Sequence, residues 1–81
     1  MNKIICNFQL GVILQDIYFI EGDNVISKKI TLAALPSVLS ESNITEIFLK
    51  GNSIFAKKIE QKTRELELKQ YHKDTKHYYY I

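Results

Sequence analysis

The chain is poor in cysteine, glycine, proline and arginine, and it has no long apolar run. Cys6 is the only cysteine, so no internal disulfide staples the fold and the usage fits a reducing compartment. Stability must come from packing. The longest uninterrupted apolar stretches are four residues, such as Ile17 to Ile20, whereas a membrane span needs about 20. The N-terminal MNKIICNFQL carries one lysine but neither a sustained apolar segment nor a small-residue cleavage site. It therefore reads as mature protein with the cytoplasm as its default address. No Pro/Gly/Ser linker, internal repeat or low-complexity tract interrupts the chain before the terminal tyrosines, so residues 1–81 form a single domain.

The signatures of several chemistries are missing too. There is no GxGxxG, GxxxxGK[ST] or GxSxG, which leaves nucleotide cradles and nucleophile elbows without support. His72 and His77 are five apart and Cys6 is remote, a spacing that matches neither HExxH nor a paired CxxC zinc site. Cys6 alternates in phase with Ile4 and Phe8, the position of a core residue rather than a nucleophile. Asp16 is alone among the acids in sitting mid-strand in apolar surroundings, and without a partner base it makes no mechanism. The expectation is a protein without catalytic residues, metal or cofactor.

What is present belongs to an ordinary globular chain, with 46% hydrophobic and 25% charged residues. A chain of this length buries only about 60 to 65% of its unfolded surface, which favours a binding surface over a deep active site. The net charge of +2 is unevenly placed. Residues 1–50 hold four lysines against five acids, and residues 51–81 hold seven Lys/Arg against four. Ile, Lys and Asn supply 27 of the 81 residues, a usage that suggests a low-GC genome and is compatible with a phage or mobile element.

Hydrophobic periodicity lays out the elements. Lys3 to Leu10 alternates, with Ile4, Cys6, Phe8 and Leu10 on one face, as a half-buried strand does. Val12 to Glu21 is apolar on both faces, and Glu21-Gly22-Asp23-Asn24 is hairpin-turn chemistry leading into a third strand, Asn24 to Thr31, with Ile26 and Ile30 inward. LAALPSVLSES, from Leu32, has helical spacing with Pro36 in its first turn. Ile44 to Gly51 reads as an apolar strand, and Gly51-Asn52-Ser53 as a turn and cap for a long helix. On that helix Phe55, Ile59, Thr63 and Leu66 define the buried stripe, with Lys58, Lys62 and Lys69 bordering one side and Glu60 and Glu67 the other. Lys76 to Ile81 is a last strand, parallel to the fourth because a helical crossover joins them.

The order strand, strand, strand, helix, strand, helix, strand, with NITEIFLKGNSIFAKKIE as fourth strand and following helix, resembles the ribonuclease H-like fold. The resemblance implies an α/β (α+β) domain with a five-stranded mixed sheet. In enzymes of that fold, two metal ions are held by carboxylates on the first strand, at the end of the fourth and on nearby helices. This sequence departs from that pattern, since KIICNFQL has no Asp or Glu and the fourth strand ends in Lys50-Gly51-Asn52. No nuclease activity is expected.

The C-terminal YHKDTKHYYYI then carries the functional question. In a strand, Tyr78 and Tyr80 face one way and Tyr79 and Ile81 the other. If this strand lies at the sheet edge, its unpaired backbone groups invite a protein partner or a second copy, with the tyrosines as anchors and Lys73, Lys76 and His77 as edge gatekeepers. The alternative is nucleic acid, with bases stacked on the tyrosines and phosphates followed by Lys58, Lys62, Lys69, Lys73 and Lys76. Glu65 interrupts that flank and Arg64 is the only arginine. The favoured expectation is an accessory protein that binds protein, with no membrane partner.

Overall fold

A computed structural model describes residues 3–8, 14–41, 43–69 and 76–81 of the chain. Five strands and two helices follow the expected order: β1 (Lys3–Phe8), β2 (Leu14–Glu21), β3 (Asn24–Thr31), α1 (Leu35–Leu39), β4 (Glu46–Gly51), α2 (Ser53–Leu68) and β5 (His77–Tyr80). They build one mixed sheet in the order β3-β2-β1-β4-β5. The pairs β1–β2 and β2–β3 are antiparallel, and β4 and β5 extend the sheet in parallel from β1. This α/β architecture is consistent with the ribonuclease H-like topology.

The sheet has one covered face and one open face. Alternation in β1 buries Ile4, Cys6 and Phe8, and these join Ile17 and Phe19 of β2 and Ile47 and Leu49 of β4 beneath Leu35, Leu39, Ala56 and Ile59 of the helices. Both helices contribute to this one core and pack against each other. None of the described helices is long and apolar enough to cross a membrane.

Local chemistry sets the element ends. The hairpin between β2 and β3 turns at Gly22, whose φ of 59° lies in the left-handed region. Gly51 ends β4 at φ 105°, and a Cβ there would collide with the Phe8 carbonyl oxygen. Glycine therefore permits the close approach of Gly51 to Phe8 at the end of the β1–β4 pair. Asn52 caps α2 by accepting from the backbone N–H of Ile54 at 3.0 Å and of Phe55 at 3.2 Å.

Three expectations are corrected. α1 does not begin at Leu32: residues 32–34 form a turn in which the Ala34 N–H donates to the Thr31 carbonyl, and the helix starts at Leu35 with Pro36 in its first turn. Ile26 is 45% exposed, because a helix of only five residues cannot reach across β3. The fully buried line on α2 is Ala56, Ile59 and Thr63, whereas Phe55 and Leu66 are half-buried at its margin. Thr63 is accommodated because its hydroxyl donates to the Ile59 carbonyl at 2.7 Å. Leu10, Val12 and Ile13, expected within the first two strands, lie outside the described residues.

Candidate functional site

β5 is an edge strand, with no described strand beyond it. The Cα register pairs His77 with Glu46, Tyr78 with Ile47, Tyr79 with Phe48 and Tyr80 with Leu49. The His77 N–H donates to the Thr45 carbonyl at 2.9 Å, the Ile81 N–H to the Leu49 carbonyl at 3.0 Å, and the Ile81 carbonyl accepts from the Gly51 N–H at 3.4 Å. In a parallel strand, the residues that bond inward alternate with residues whose N–H and C=O both point the other way. Odd-numbered His77, Tyr79 and Ile81 therefore face β4 through their backbone. Tyr78 and Tyr80 aim their amides and carbonyls off the edge.

Side chains obey the perpendicular alternation. Tyr78 and Tyr80 lie on the covered face and are held by α2: the Tyr78 hydroxyl donates to Glu67 at 3.1 Å, and the Tyr80 hydroxyl donates to Glu60 at 2.6 Å. Arg64 ties the two together, with its guanidinium 4.5 Å from the Tyr78 ring centroid and its Nε 3.2 Å from Glu60. Burial and the neighbouring Glu67 carboxylate push the Tyr78 phenol well above its ordinary pKa. Partial burial and the hydrogen bond to Glu60 push Tyr80 up to about 12. Both rings are thus neutral clamps that fix β5 to the helix.

Tyr79 has the opposite orientation, and the register places it at the end of a row. Ser27, Tyr18, Ile5, Phe48 and Tyr79 are direct neighbours across all five strands of the open face. The Phe48 and Tyr79 rings are stacked, with centroids 4.8 Å apart and an interplanar angle of 17°. On the strand-end side of this row, Lys3 and Glu46 form a cross-strand ion pair at 3.6 Å. Tyr79, Tyr80 and Ile81 stand 42%, 45% and 63% exposed, a run of large apolar surface at the open edge.

Lys76 takes a different place from the gatekeeper role expected of it. It is buried, and its ammonium donates to the carbonyl oxygens of Ile44, at 2.6 Å, and Glu41. The chain between α1 and β4 is thereby tied to the start of β5. Parity within the strand was the signal in the sequence, since residue 76 shares a face with 78 and 80. His77 is exposed at the edge. Lys73 and His72 lie outside the described residues.

Arg64 meets the Tyr78 ring, but Lys58, Lys62 and Lys69 of the basic flank do not join the tyrosines. Lys58, Lys62 and Lys69 are all exposed. Lys58 and Lys62 flank a shallow groove with Leu32 and Ala33, and Lys62 and Lys69 border the neighbouring one beside Pro36 and Ser37. At about 100° per residue, this flank lies roughly half a turn of helix from Glu60, Arg64 and Glu67, which meet Tyr78 and Tyr80. Tyr78 and Tyr80 are bordered by Glu60, Arg64 and Glu67, and Lys58, Lys62 and Lys69 lie on the opposite flank of the helix.

Among the described residues, no group of three or more His, Cys, Asp or Glu side chains is placed to hold a metal ion. Cys6 is fully buried in the core, and burial pushes its thiol up to about 12. Its β1 position on the covered face separates it from His77, whose parity puts it on the open face. Asp16 is registered between Asn7 and Lys29 in the middle of the strand row. Compared with protein-family models, curated proteins and solved structures, the chain matches none.

Proposed function

We propose that this chain is a small interaction module that binds a protein partner by adding a strand to the β5 edge, without catalysis of its own. One observation carries the reading: the edge strand couples outward-pointing backbone groups at Tyr78 and Tyr80 with exposed side chains at Tyr79, Tyr80 and Ile81. Backbone pairing supplies affinity in such a complex, and alternating side-chain contacts supply selectivity. The clamp from Tyr78 and Tyr80 to α2 supports it further, because an edge held rigid loses less conformational freedom on binding.

Nucleic acid is the weaker reading on the same surface. The covered-face side of that edge carries the Glu60 and Glu67 carboxylates, which accept from Tyr80 and Tyr78 and repel phosphate. A phosphate backbone tracking Lys58, Lys62 and Lys69 would run along the flank away from the tyrosines. The test is retention of a protein from host extract by the immobilised chain. It should survive about 0.5 M salt, where electrostatic attraction is screened within a few ångströms, and should be unaffected by Lys58→Glu with Lys62→Glu. Tyr80→Pro should abolish it by removing an outward N–H. Salt-sensitive oligonucleotide binding lost in the lysine variant, with no edge-dependent protein retention, would replace strand addition by the nucleic-acid reading.

A further inference from the structure

Resting on that strand-addition reading, we propose that the edge takes a second copy of this chain, with β5 antiparallel to the partner's β5 about a two-fold axis at Tyr79. A symmetric edge pairing must match outward-pointing residues with outward-pointing residues. Here those residues are Tyr78 and Tyr80. With the axis at Tyr79, Tyr78 faces the partner's Tyr80 and Tyr80 faces the partner's Tyr78, and each is a pair that exchanges both backbone hydrogen bonds. An axis at Tyr80 would set Tyr79 against the partner's Ile81 and forgo a Tyr79–Tyr79 contact. An axis at Tyr78 would draw Lys76, which precedes the strand, into the pairing and set His77 against Tyr79. The Tyr79 register is the one that pairs the two outward-pointing residues of β5, Tyr78 and Tyr80, with each other.

Side chains favour the same axis. Tyr79 would meet the partner's Tyr79 as a non-hydrogen-bonded pair, the kind whose Cα atoms approach to about 4.5 Å and whose side chains lie closest. The Phe48–Tyr79 centroid separation of 4.8 Å equals the spacing between neighbouring strands, so the outer face of the Tyr79 ring looks off the edge. A second Tyr79 continues the stack from Phe48 through both tyrosines to the partner's Phe48. On the covered face, Tyr78 and Tyr80 come together with their counterparts, their hydroxyls already bonded to Glu67 and Glu60. His77, the base of the strand, falls opposite the partner's Ile81 at the end of the pairing, away from the axis. One short strand buries less than the roughly 1,200 Å² at the low end of standard interfaces, so the dimer is weak and concentration-dependent.

Analytical ultracentrifugation of the whole chain over a concentration series should show the mass rising toward twice the monomer value. Tyr80→Ala, which keeps the outward N–H, should still dimerise. Tyr80→Pro, which removes an N–H that β4 does not use, should stay monomeric, with circular dichroism reporting that it is folded. The register has its own probe. Under oxidised glutathione, Tyr79→Cys should cross-link into dimers while Ile81→Cys should not, and buried Cys6 should stay silent. A monomer at every concentration, without cross-linking of Tyr79→Cys, overturns the self-pairing. Strand addition to another protein would then stand or fall on host-protein retention by wild type against Tyr80→Pro. A dimer that persists in Tyr80→Pro and fails to cross-link through Tyr79→Cys also overturns the proposal, because association would then use another surface.

Discussion

Phe48 on β4 and Tyr79 on β5 occupy opposed positions of a parallel strand pair, and their rings stack at 4.8 Å on the face that no described helix covers. Such a pair stabilises an edge strand from its exposed side, while the Tyr78 and Tyr80 clamps hold it from the covered side. A double-mutant cycle with Phe48→Ala and Tyr79→Ala should return a coupling of about 0.5 to 1.5 kcal/mol in urea unfolding at low protein concentration. Strictly additive losses would mean that the stack contributes nothing beyond burial.

Much of this arrangement was legible in the sequence because alternation is a strong signal in short strands. The parity of Ile4, Cys6 and Phe8 identified the buried face of β1, and the parity of the terminal tyrosines separated Tyr78 and Tyr80 from Tyr79. The opposite charge borders of α2 were also legible from 3.6-residue periodicity. What they border was not: that Glu60 and Glu67 accept from tyrosines depends on β5 lying beneath that flank, a long-range fact.

The misreadings have local causes. A helix drawn from Leu32 followed apolar spacing, but proline in the first helical turn and the Thr31–Ala34 turn set a later start. An edge position alone makes Lys76 a gatekeeper charge, whereas the structure buries it. Two backbone carbonyls at the end of a short helix and the following turn are a binding site for an ammonium, and no residue type advertises them. The open-face row through Tyr18, Ile5, Phe48 and Tyr79 needed the register of all five strands before it could be seen.

The corrected stripe on α2 gives a ranking of core substitutions. Ile59 is 5% exposed within the core, so Ile59→Ala should cost about 2 to 5 kcal/mol through lost burial and the cavity left behind. Leu66 is half-buried at the margin, where solvent can fill the space, and Leu66→Ala should cost less than about 2 kcal/mol. Chemical denaturation of the two variants decides the order. Equal losses would put Leu66 in the core with Ile59.

Lys76→Met keeps much of the side-chain volume but removes the donors to the Ile44 and Glu41 carbonyls. The Glu41 carbonyl still accepts from the Ile44 N–H, but the buried Ile44 carbonyl loses the ammonium, and such a loss costs about 1 to 3 kcal/mol. The variant should therefore lose stability in that range, and amide exchange should rise first at Ile44 and His77, on either side of the tie. An unchanged unfolding midpoint would show that water replaces the ammonium without penalty.

Alkaline titration tests the clamp between β5 and α2. Tyrosine ionises near pH 10 in an unfolded chain, whereas Tyr80 is raised to about 12 by partial burial and by donating to Glu60, and Tyr78 is raised further by deeper burial beside Glu67. Both shifts mean that the folded state retains a phenolic proton that the unfolded state has released. Their contribution is complete below about pH 10 and is lost as pH rises through about 12, because the unfolded state then binds fewer protons. The melting temperature should accordingly decline across that window. Tyr80→Phe, which has no proton to lose, should reduce the slope, and Glu60→Gln should move the late tyrosinate absorbance of Tyr80 to lower pH by removing the neighbouring charge. Wild-type tyrosinate absorbance that reached its full amplitude near pH 10 in a single step would show that neither hydroxyl is held, and the rigid edge on which partner binding depends would lose its support.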